Sequence, residues 1–516
     1  MDSFDVIISG GGPVGLMLAC ELKLVGVSVV VLERLAAMDP TIKAGGLGPI
    51  AAEAMRRRGM GASLDAAEAE MAKTMMAMAA GKPIAHGITL TGSKPGNPLG
   101  GPLGVIGHFA GLFQLFAQHQ VEPERRFVAA NQQVVEMILA QRAKELDIPI
   151  RRGHEVVEFE QTEHGVTVEV RHADQIEVVQ GRYLVGCDGG RSFVRKHAGI
   201  EFPGTEPTLT GYQALVELVD GDKLLPLGWR RTPRGMLAYG PVPGRILAVE
   251  FDGAPGNRDA PIELDELQAA LRRVSGTDVT IRAIRTATRW TDNARVAAGY
   301  RNGRVLVAGD AAHVHSPFGG QGMNLGLADA VNLGWKVAAT LAGWASPGLL
   351  DTYTTERRPV ALRAVDNTRA QIALMRPDAQ TTAMRDLFST LLAQPSVNAY
   401  IGGMMRGVDA RYDVGCDHPL AGTALPDLAL DIAGQPARAF DHFAAGNAVL
   451  FDFGAGTPAL ELTRVRTVRA TCVDKSVDRP ELGAVLVRPD GYVAWASDGS
   501  LDGLDRALAT WSGVSP

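Results

Sequence analysis

The sequence lacks the features that mark several classes of protein. Only four cysteines occur among 516 residues, at positions 20, 187, 416 and 472, so no Cys-x-x-Cys pair is present. This spacing excludes a disulfide scaffold, a zinc knuckle and a dithiol redox centre. Basic residues do not outnumber acidic ones, with 51 against 57 and a formal net charge of -6. Because no basic field is available to collect phosphates, we expect no nucleic-acid partner.

Long apolar runs are also missing. The densest apolar stretch, residues 25–32, is far shorter than the ~20 residues that a membrane helix needs, so we expect no membrane partner. The chain opens Met-Asp-Ser-Phe-Asp, without the basic start of a secretory signal. Together with the few scattered cysteines, this start predicts a cytoplasmic protein. The abundant residue is glycine, with 60 copies, and its clusters contain the functional motifs.

The first glycine cluster lies near the N-terminus in a strand–turn–helix–strand pattern. A short β-rich run precedes Gly10-x-Gly12-x-x-Gly15, and an apolar helix and a buried strand ending at Glu33 follow it. Such a turn lets a pyrophosphate approach the backbone at a helix N-terminus, and Glu33 is spaced to accept hydrogen bonds from ribose hydroxyls. A carboxylate there disfavours a 2′-phosphate. The pattern therefore predicts an FAD or NAD site rather than an NADP site.

Three further motifs follow along the chain. Residues 187–195 read CDGGRSFVR, residues 309–313 read GDAAH, and residues 317–324 read PFGGQGMN. In this order and spacing, and with the first cluster, they resemble the class A single-component flavoprotein monooxygenases of the para-hydroxybenzoate hydroxylase fold. The resemblance covers about residues 1–370. The further C-terminal segment of about 100 residues is typical of the branch with aromatic polyketide hydroxylases and rifampicin monooxygenase.

This resemblance implies cofactor roles for individual residues. Glu33 would bind the adenosine ribose, Asp310 the ribityl hydroxyls, and Gln132 would lie near the pyrophosphate. Backbone N–H groups of residues 322–324 would face the flavin N1–C2=O edge, where a helix N-terminus stabilises negative charge. The complete set of FAD contacts predicted in this way is Gly10, Gly12, Pro13, Val14, Gly15, Glu33, Arg34, Lys43, Gln132, Val156, Asp188, Arg191, Gly309, Asp310, Pro317, Gly320, Gly322, Met323 and Asn324.

Some of these positions depart from the family or have a structural alternative. Lys43 stands where the family usually has an arginine close to the flavin, and lysine lacks the planar fork of arginine. Asp188 and Arg191 match a motif that touches both FAD and the pyridine nucleotide. Asp188 could equally be a helix cap, and Arg191 and Arg195 could be solvated surface charges. The pair His313-x-His315 lacks a visible third ligand, so we expect no metal.

The predicted fold is α/β with three parts. A Rossmann-like FAD-binding domain with long C-terminal helices precedes a thioredoxin-like α/β domain, and a β-sheet substrate domain is inserted into the first. Without a Cys-x-x-Cys pair, the thioredoxin-like domain is expected to have a structural or oligomerisation role. The predicted boundaries are 1–75, 120–204 and 300–408 for the FAD domain, 76–119 and 205–299 for the substrate domain, and 409–516 for the C-terminal domain.

A substrate pocket is expected between the FAD domain and the inserted sheet, covered by the Gly/Pro/Met-rich residues 71–115. The composition of residues 71–111 predicts loops around this cavity. Within that stretch residues 107–111 match a substrate-facing segment of the family. No residue stands out as a cationic clamp for a small benzoate, and an apolar cleft suits a flat multi-ring phenol. The candidate lining residues are His108, Phe109, Trp229, Tyr239 and Phe318. For the aromatic residues Trp229, Tyr239 and Phe318, as for Trp290, ordinary core packing is an alternative at least as good.

The resemblance implies an FAD-dependent, NAD(P)H-consuming monooxygenase that hydroxylates a polycyclic aromatic phenol through a flavin C4a-hydroperoxide. FAD would be noncovalent, NADPH or NADH a transient reductant and O₂ the co-substrate, and no side chain receives a catalytic role because the chemistry belongs to the flavin. The protein would be a monomer or homodimer. Three alternatives stay open: Baeyer–Villiger oxygenation of a polycyclic ketone, a flavin oxidase, dehydrogenase or halogenase, and a non-catalytic flavin-binding protein.

Overall fold

The computed structural model describes residues 2–87, 104–258, 260–462, 464–473 and 482–514. In these ranges the α-helices are α1 (Pro13–Leu24), α2 (Pro49–Arg57), α3 (Gly61–Ala79), α4 (Gln132–Glu145), α5 (Phe193–His197), α6 (Leu264–Ser275), α7 (Gly322–Leu341), α8 (Thr352–Met375), α9 (Ala379–Leu392), α10 (Pro395–Arg406) and α11 (Leu504–Ser512).

The strands are numbered in chain order. Up to Gly186 they are β1 (Asp2–Ser9), β2 (Val29–Glu33), β3 (Val105–Phe109), β4 (Leu112–Phe116), β5 (Ile150–Arg152), β6 (His154–Gln161), β7 (Val166–His172) and β8 (Gln175–Gly186). The next group is β9 (Gly204–Thr205), β10 (Thr210–Leu218), β11 (Gly228–Thr232), β12 (Gly235–Tyr239), β13 (Arg245–Glu250), β14 (Ile281–Trp290), β15 (Ala294–Val296), β16 (Arg301–Asn302), β17 (Val305–Val307) and β18 (His313–Val314). The C-terminal strands are β19 (Ala429–Ile432), β20 (Gln435–Arg438), β21 (Ala448–Asp452), β22 (Val465–Arg469), β23 (Thr471–Cys472), β24 (Ala484–Val487) and β25 (Val493–Ser497).

The first sheet has the order β16-β17-β8-β1-β2-β5, and the β6–β7 hairpin is attached to β8. The pairs β1/β2, β1/β8, β8/β17 and β2/β5 are parallel. Helix α1 connects β1 to β2, and α7 packs against α1 in the largest core cluster. Backbone bonds from Cys187 N to Ser9 O (2.7 Å) and from Ala308 N to Gly186 O (3.0 Å) align the carboxyl ends of three strands. The loops after these strands therefore meet at one edge, where α/β sheets bind ligands.

The middle sheet is antiparallel with the order β11-β12-β13-β10-β14. Side chains along a strand alternate between its faces. On β13, Ile246 and Ala248 pack against α6, whereas Leu247 and Val249 belong to a second cluster with α8 to α10. The second cluster also contains Phe318, so this face of the sheet is turned toward the loop before α7.

The C-terminal part contains a mixed sheet of order β22-β21-β24-β25 and a small sheet of order β20-β19-β23. A buried charge network joins it to the rest of the chain. The Glu356 carboxylate on α8 accepts from Lys336 Nζ on α7 (2.7 Å) and from Arg488 Nη1 after β24 (2.7 Å). Arg58 on the same side donates to the Glu21 carboxylate and to Pro489 O (2.8 Å).

Two expectations fail at helix α3. The predicted loop character from residue 71 onward is wrong as far as Ala79, because α3 continues unbroken over Gly61–Ala79. The predicted domain boundary at 75/76 therefore lies inside a helix. Residues 88–103, which belong to the stretch expected to cover the pocket, lie outside the described residues. No helix in the described part of the chain is both long and apolar enough to cross a membrane.

Candidate active site

The glycine loop after β1 leaves room for a ligand next to its backbone. Gly10 has φ +114°, and a Cβ there would lie 2.3 Å from Cys187 O. A Cβ on Gly15 would lie 2.0 Å from Gly10 O, so both positions require glycine. At Gly12 a Cβ would meet nothing within 4 Å, and α1 begins there with Pro13 and without a side-chain cap. The first N–H groups of α1 are thus left for an anion such as a pyrophosphate.

Glu33 lies beside this loop at the end of β2. Its Oε2 accepts from Gly11 N (2.7 Å) and its Oε1 from Leu35 N (2.8 Å). These two bonds fix the carboxylate against the loop, and each oxygen retains a lone pair for a ribose hydroxyl. Arg34 follows with its side chain exposed at the same edge.

Asp188 lies directly after β8, facing the glycine loop. Its Oδ2 accepts from Val194 N (3.1 Å), so Asp188 does cap helix α5, together with Ser192, whose Oγ accepts from Arg195 N (2.9 Å). The Asp188 Oδ1 is buried and has no hydrogen-bond partner in the described chain. Burial raises the pKa of this carboxyl. The unpartnered oxygen fits a ligand hydroxyl or amide, and the exposed Arg191 lies at the rim.

Arg195 is not a solvated surface charge. It is 4% exposed, and its Nη1 donates to Ala311 O (3.0 Å) and Gly190 O (3.2 Å). The guanidinium also lies 3.8 Å from the Phe202 ring centroid. Arg195 therefore ties the residues after β8 to the loop that contains Asp310.

The loop of Gly309 and Asp310 is fixed by a buried carboxylate on α7, that of Asp329. Asp329 Oδ2 accepts from Gly309 N (3.1 Å) and pairs with His313 Nε2 (2.6 Å). Its Oδ1 accepts from Arg357 Nε (2.7 Å). Burial opposes ionisation, but His313 and Arg357 together keep the pKa of Asp329 below its usual range. Asp310 itself is exposed, and its carboxylate accepts no hydrogen bond from the described residues, so it is available to a ligand.

The two histidines of this loop have separate contacts and do not form a ligand pair. His313 is bound to Asp329, while His315 Nδ1 is 2.8 Å from Ser316 O and its Nε2 has no partner in the described chain. A cluster with metal-ligand chemistry does occur elsewhere on the first sheet. Ring nitrogens of His154 and His172 and a carboxylate oxygen of Glu177 lie within 4.8 Å of one another.

Residues 317–324 lead into the N-terminus of α7. Gly319 and Gly320 have φ values of +80° and +64°, and α7 begins at Gly322 without a side-chain cap. Asn324 Oδ1 accepts from Gly48 N (2.7 Å), and its Nδ2 donates to Gly320 O (2.8 Å). Asn324 thus binds residues 43–48 to the loop before α7, and it leaves the N-terminal N–H groups of α7 for an anionic ring edge.

The segment after Lys43 is fixed by its backbone. Lys43 O accepts from Gln213 Nε2 (3.0 Å), and Ala44 O accepts from Gln132 N (3.0 Å) at the start of α4. The Lys43 side chain is exposed and pairs with Asp39 (2.7 Å). A different cation, Arg245 from β13, approaches this segment, and its Nη1 lies 3.5 Å from the position of a Cβ on Gly45. The sequence contains no motif signal for Arg245.

Four other predicted cofactor residues differ in how much of their side chain is exposed. Val14 packs against Gly309, and its Cγ2 lies 3.0 Å from the position that a Cβ would take on Gly309. Pro317 is exposed. Met323 is 9% exposed in the main core. Val156 is 6% exposed in the cluster under β6 to β8, so only its backbone is free to contact a cofactor.

Three of the five predicted substrate residues lie in one row of aromatic rings. His108 lies 5.9 Å from Trp229, Trp229 6.0 Å from Phe318, and Phe318 5.4 Å from Trp290, all between ring centroids. His108 also contacts Phe113 (4.8 Å). Burial lowers the pKa of His108 to about 4, so its imidazole is neutral near pH 7. Phe318 belongs to the loop before α7, which joins the row to the predicted flavin segment.

Tyr239 and Phe109, the other two predicted lining residues, do not belong to the aromatic row. Tyr239 is 5% exposed and packs in the cluster with α6, on the opposite face of the middle sheet from Trp229. The alternation along β12 places Ala238 on the site face and therefore Tyr239 on the other. Phe109 is 3% exposed and contacts Phe388 on α9 (5.2 Å), behind the aromatic row.

The described residues also enclose a cavity of about 80 Å³ next to Asn324. Its wall includes Gly48, Gly320 and Asn324, and the remainder comes mainly from α8 and the end of α10. None of the five predicted substrate residues lines it. The lining of the cavity therefore includes the predicted flavin segment but not the candidate substrate residues.

Comparison with known proteins agrees with this geometry. The family model described as FAD binding domain matches residues 3–368, and the model described as aromatic-ring hydroxylase, C-terminal, matches residues 418–515. The chain belongs to the FAD-dependent aromatic-ring hydroxylases. This hydroxylase is a flavoprotein monooxygenase, as the sequence motifs predicted, and its mixed α/β fold with several sheets is that of the family.

Relatives of the hydroxylase match over its whole length. It is 39% identical to 12-dehydrotetracycline 5-monooxygenase/anhydrotetracycline 6-monooxygenase of Streptomyces rimosus, over 99% of both chains. It is 36% identical to rifampicin monooxygenase of Streptomyces venezuelae, again over 99% of both chains. Among solved structures, OxyS anhydrotetracycline hydroxylase from Streptomyces rimosus matches with a TM-score of 0.84, 38% identity and 100% coverage of both chains. The predicted aromatic polyketide hydroxylase branch is confirmed.

Proposed function

We propose that this monooxygenase hydroxylates a polycyclic aromatic phenol of the polyketide type, with NADPH or NADH as reductant and O₂ as co-substrate. The observation that carries the proposal is the row His108–Trp229–Phe318, because Phe318 is itself part of the predicted flavin segment. A flat multi-ring molecule lying on the partly exposed rings of His108 and Trp229 is thereby held next to Phe318 and the flavin segment. The relatives named for tetracycline and rifampicin chemistry support the same substrate class.

The residues of the first sheet fit noncovalent FAD. In the proposal the pyrophosphate lies on the N-terminus of α1, Glu33 binds the adenosine ribose, and Asp310 binds the ribityl chain. The capless N-terminus of α7 faces the flavin ring, held in place by Asn324. When bound, FAD supplies the redox chemistry and oxygen activation. The chain binds and orients cofactor and substrate, and its buried aromatic row excludes water.

We also propose that the first sheet forms a Rossmann-like FAD domain and that the C-terminal part is a thioredoxin-like domain without redox activity. In the C-terminal sheet β21 pairs with β22 in parallel and with β24 antiparallel. Cys416 Sγ donates to Ala496 O (3.8 Å), and the sequence has no Cys-x-x-Cys pair. A Cys416→Ser, Cys472→Ser double variant should keep full turnover, and a large loss of turnover would contradict the structural role.

The central experiment measures NADPH- and NADH-driven O₂ uptake by the FAD-loaded protein. A panel of tri- and tetracyclic phenols, including anhydrotetracycline, should stimulate uptake, whereas 4-hydroxybenzoate should not. Mass spectrometry should show a product with one added oxygen and an intact ring skeleton. Uptake without an oxygenated product would point instead to an oxidase, and preferential stimulation by 4-hydroxybenzoate would contradict the polycyclic substrate class.

The same experiment decides between hydroxylation and Baeyer–Villiger oxygenation. A lactone formed from a polycyclic ketone would establish the second reaction. We favour hydroxylation because the matched C-terminal family model is described as aromatic-ring hydroxylase and the similar OxyS structure is that of an anhydrotetracycline hydroxylase.

A further inference from the structure

The Arg245 side chain is a partly buried cation on the middle sheet. It begins β13, and its guanidinium lies over Gly45, with Nη1 3.5 Å and Nη2 3.8 Å from the position of a Cβ there. Its side chain is partly buried, and burial lowers the pKa of the guanidinium. A cation withdrawn from water in this way is costly unless an anion or several hydrogen-bond acceptors lie beside it.

The described residues provide no such partner. The Arg245 guanidinium forms no ion pair and donates no side-chain hydrogen bond within them, in contrast to Arg230, whose Nη1 donates to Leu224 O (2.8 Å) and Pro226 O (2.7 Å). Residues 88–103, the nearest long segment outside the described chain in sequence, contain no Asp or Glu. A bound molecule can therefore supply the partner that the described residues do not.

The register of the sheet puts Arg245 on the same face as the aromatic row. Trp229 pairs with Ala238, and Ala238 pairs with Leu247. Arg245 precedes Leu247 by two residues on β13, so both point to one face. Gln213 on β10 pairs with Leu247 and lies on the same face. Two strand spacings across and two residues along give a Cα separation of about 12 Å between Trp229 and Arg245. A three- or four-ring molecule spans such a distance.

We propose that Arg245 binds an acidic oxygen, a phenolate or enolate, at one end of the polycyclic substrate while the other end stacks on Trp229; the inference rests on the proposed function. A guanidinium offers two parallel N–H donors to such an oxygen or to a pair of neighbouring oxygens. The charge also favours the ionised form of the phenol, which makes the aromatic ring more electron-rich. The negative groups of FAD have other partners in the proposed site, at the N-termini of α1 and α7.

Binding to the FAD-loaded protein tests this assignment directly. The probes are anhydrotetracycline and 1,8-dihydroxyanthraquinone, each compared with its O-methylated derivative, whose oxygens cannot ionise. Affinity is measured by the change in flavin absorbance, and KM by NADPH-driven O₂ uptake. The wild-type protein should bind each phenol more tightly than its ether. Arg245→Gln should weaken phenol binding by about 10- to 100-fold, the equivalent of one lost charge-assisted hydrogen bond, and change ether binding by less than about twofold.

Two variants complete the experiment. Arg245→Lys keeps the charge without the planar fork and should restore part of the phenol affinity. Arg282→Gln removes an exposed cation from β14 of the same sheet and should change nothing. FAD content and the KM for NADPH should be the same in Arg245→Gln as in the wild type.

The outcomes separate this proposal from the proposed function. Three results in Arg245→Gln would overturn the substrate assignment. Equal losses of affinity for phenol and ether would mean that Arg245 acts in packing. Loss of FAD would mean that it binds the flavin, and a raised KM for NADPH that it binds the pyridine nucleotide. If phenols and ethers stimulate O₂ uptake and bind equally well, the monooxygenase function stands and the Arg245 proposal fails. If neither member of any pair binds or stimulates uptake, both fail.

Discussion

Arg357 on α8 donates from Nε to the Asp329 carboxylate on α7 at 2.7 Å, and both side chains are at most 1% exposed. The other oxygen of Asp329 accepts from Gly309 N, one residue before Asp310. Arg357 Nη1 continues to the hydroxyl of Tyr412 (2.8 Å), which lies in the C-terminal third of the chain. A chain of buried polar contacts thus connects the C-terminal part to the loop that contains Asp310.

Replacing Asp329 by Asn should weaken both folding and FAD binding. Arg357 would remain buried without its counter-ion, and breaking a buried pair in this way costs about 3–5 kcal/mol. The melting temperature and the fraction of protein purified with FAD should both fall. Arg363→Gln is the control, because Arg363 lies on the same helix as Arg357. Its ion pair with Asp409 is exposed and is worth about 0–1 kcal/mol. If both variants lower the melting temperature and the FAD content equally, Asp329 does not support the Asp310 loop.

Asp310→Ala should release FAD while leaving the fold intact. The side chain is exposed and has no hydrogen bond in the described protein, so the free energy of unfolding of the cofactor-free form should change little. Each lost hydrogen bond from a ribityl hydroxyl to the carboxylate should cost about 1.5–3 kcal/mol of binding. Flavin absorbance after gel filtration measures retention, and the exposed Asp174→Ala provides the matched control. Undiminished flavin in Asp310→Ala would exclude it as a ligand.

Trp229 and Tyr239 are predicted to differ in their effect on substrate. Trp229→Leu removes a stacking surface from the aromatic row and should raise the KM for a polycyclic phenol by about tenfold, with FAD content unchanged. Tyr239→Phe alters the opposite face of the sheet and should leave KM unchanged. Steady-state O₂ uptake measures both. A larger effect of Tyr239→Phe would show that the substrate lies on the α6 side of the sheet.

The network around Glu356 predicts a pH dependence of stability. Burial opposes its ionisation, but Arg488 and Lys336 outweigh burial and hold the pKa of Glu356 below its usual 4.5. The stabilisation by this lowered pKa is therefore fully present above about pH 4.5 and is lost as the pH falls through the lower value of the folded state. At pH 7 Glu356→Gln should have a clearly lower melting temperature than the wild type, because Arg488 and Lys336 lose their partner.

Thermal melts between pH 7 and pH 3 check this prediction. The difference between wild type and Glu356→Gln should shrink below pH 4.5. Glu217→Gln, which breaks an exposed pair with Arg285, should show a small and nearly constant difference. A wild-type minus Glu356→Gln difference that stays constant down to pH 3 would mean that Glu356 does not have a lowered pKa.

Local patterns in the sequence were sufficient for the first sheet. The strand β1, the turn of Gly10 to Gly15, helix α1 and strand β2 all appear where the alternation of glycine and apolar residues predicts them. The chemistry of a βαβ unit is contained in contiguous residues, so its cofactor edge can be predicted without long-range information. The family resemblance added the loops after β8 and β17, which the parallel pairing of these strands with β1 brings to that edge.

Only the tertiary structure decided which residues face the site from the middle sheet. Trp229 and Tyr239 look alike as aromatic residues in short strands, but strand alternation and the position of α6 place them on opposite faces. Arg245, Asp329 and Arg357 occur in no motif used for prediction. Their significance depends on partners far away in sequence: Gly45 for Arg245, and Gly309 and Tyr412 for the buried pair. The sequence by itself determined the cofactor chemistry, because that chemistry is local. The packing of distant elements decided which residues face the candidate substrate site and which charges have no partner among the described residues.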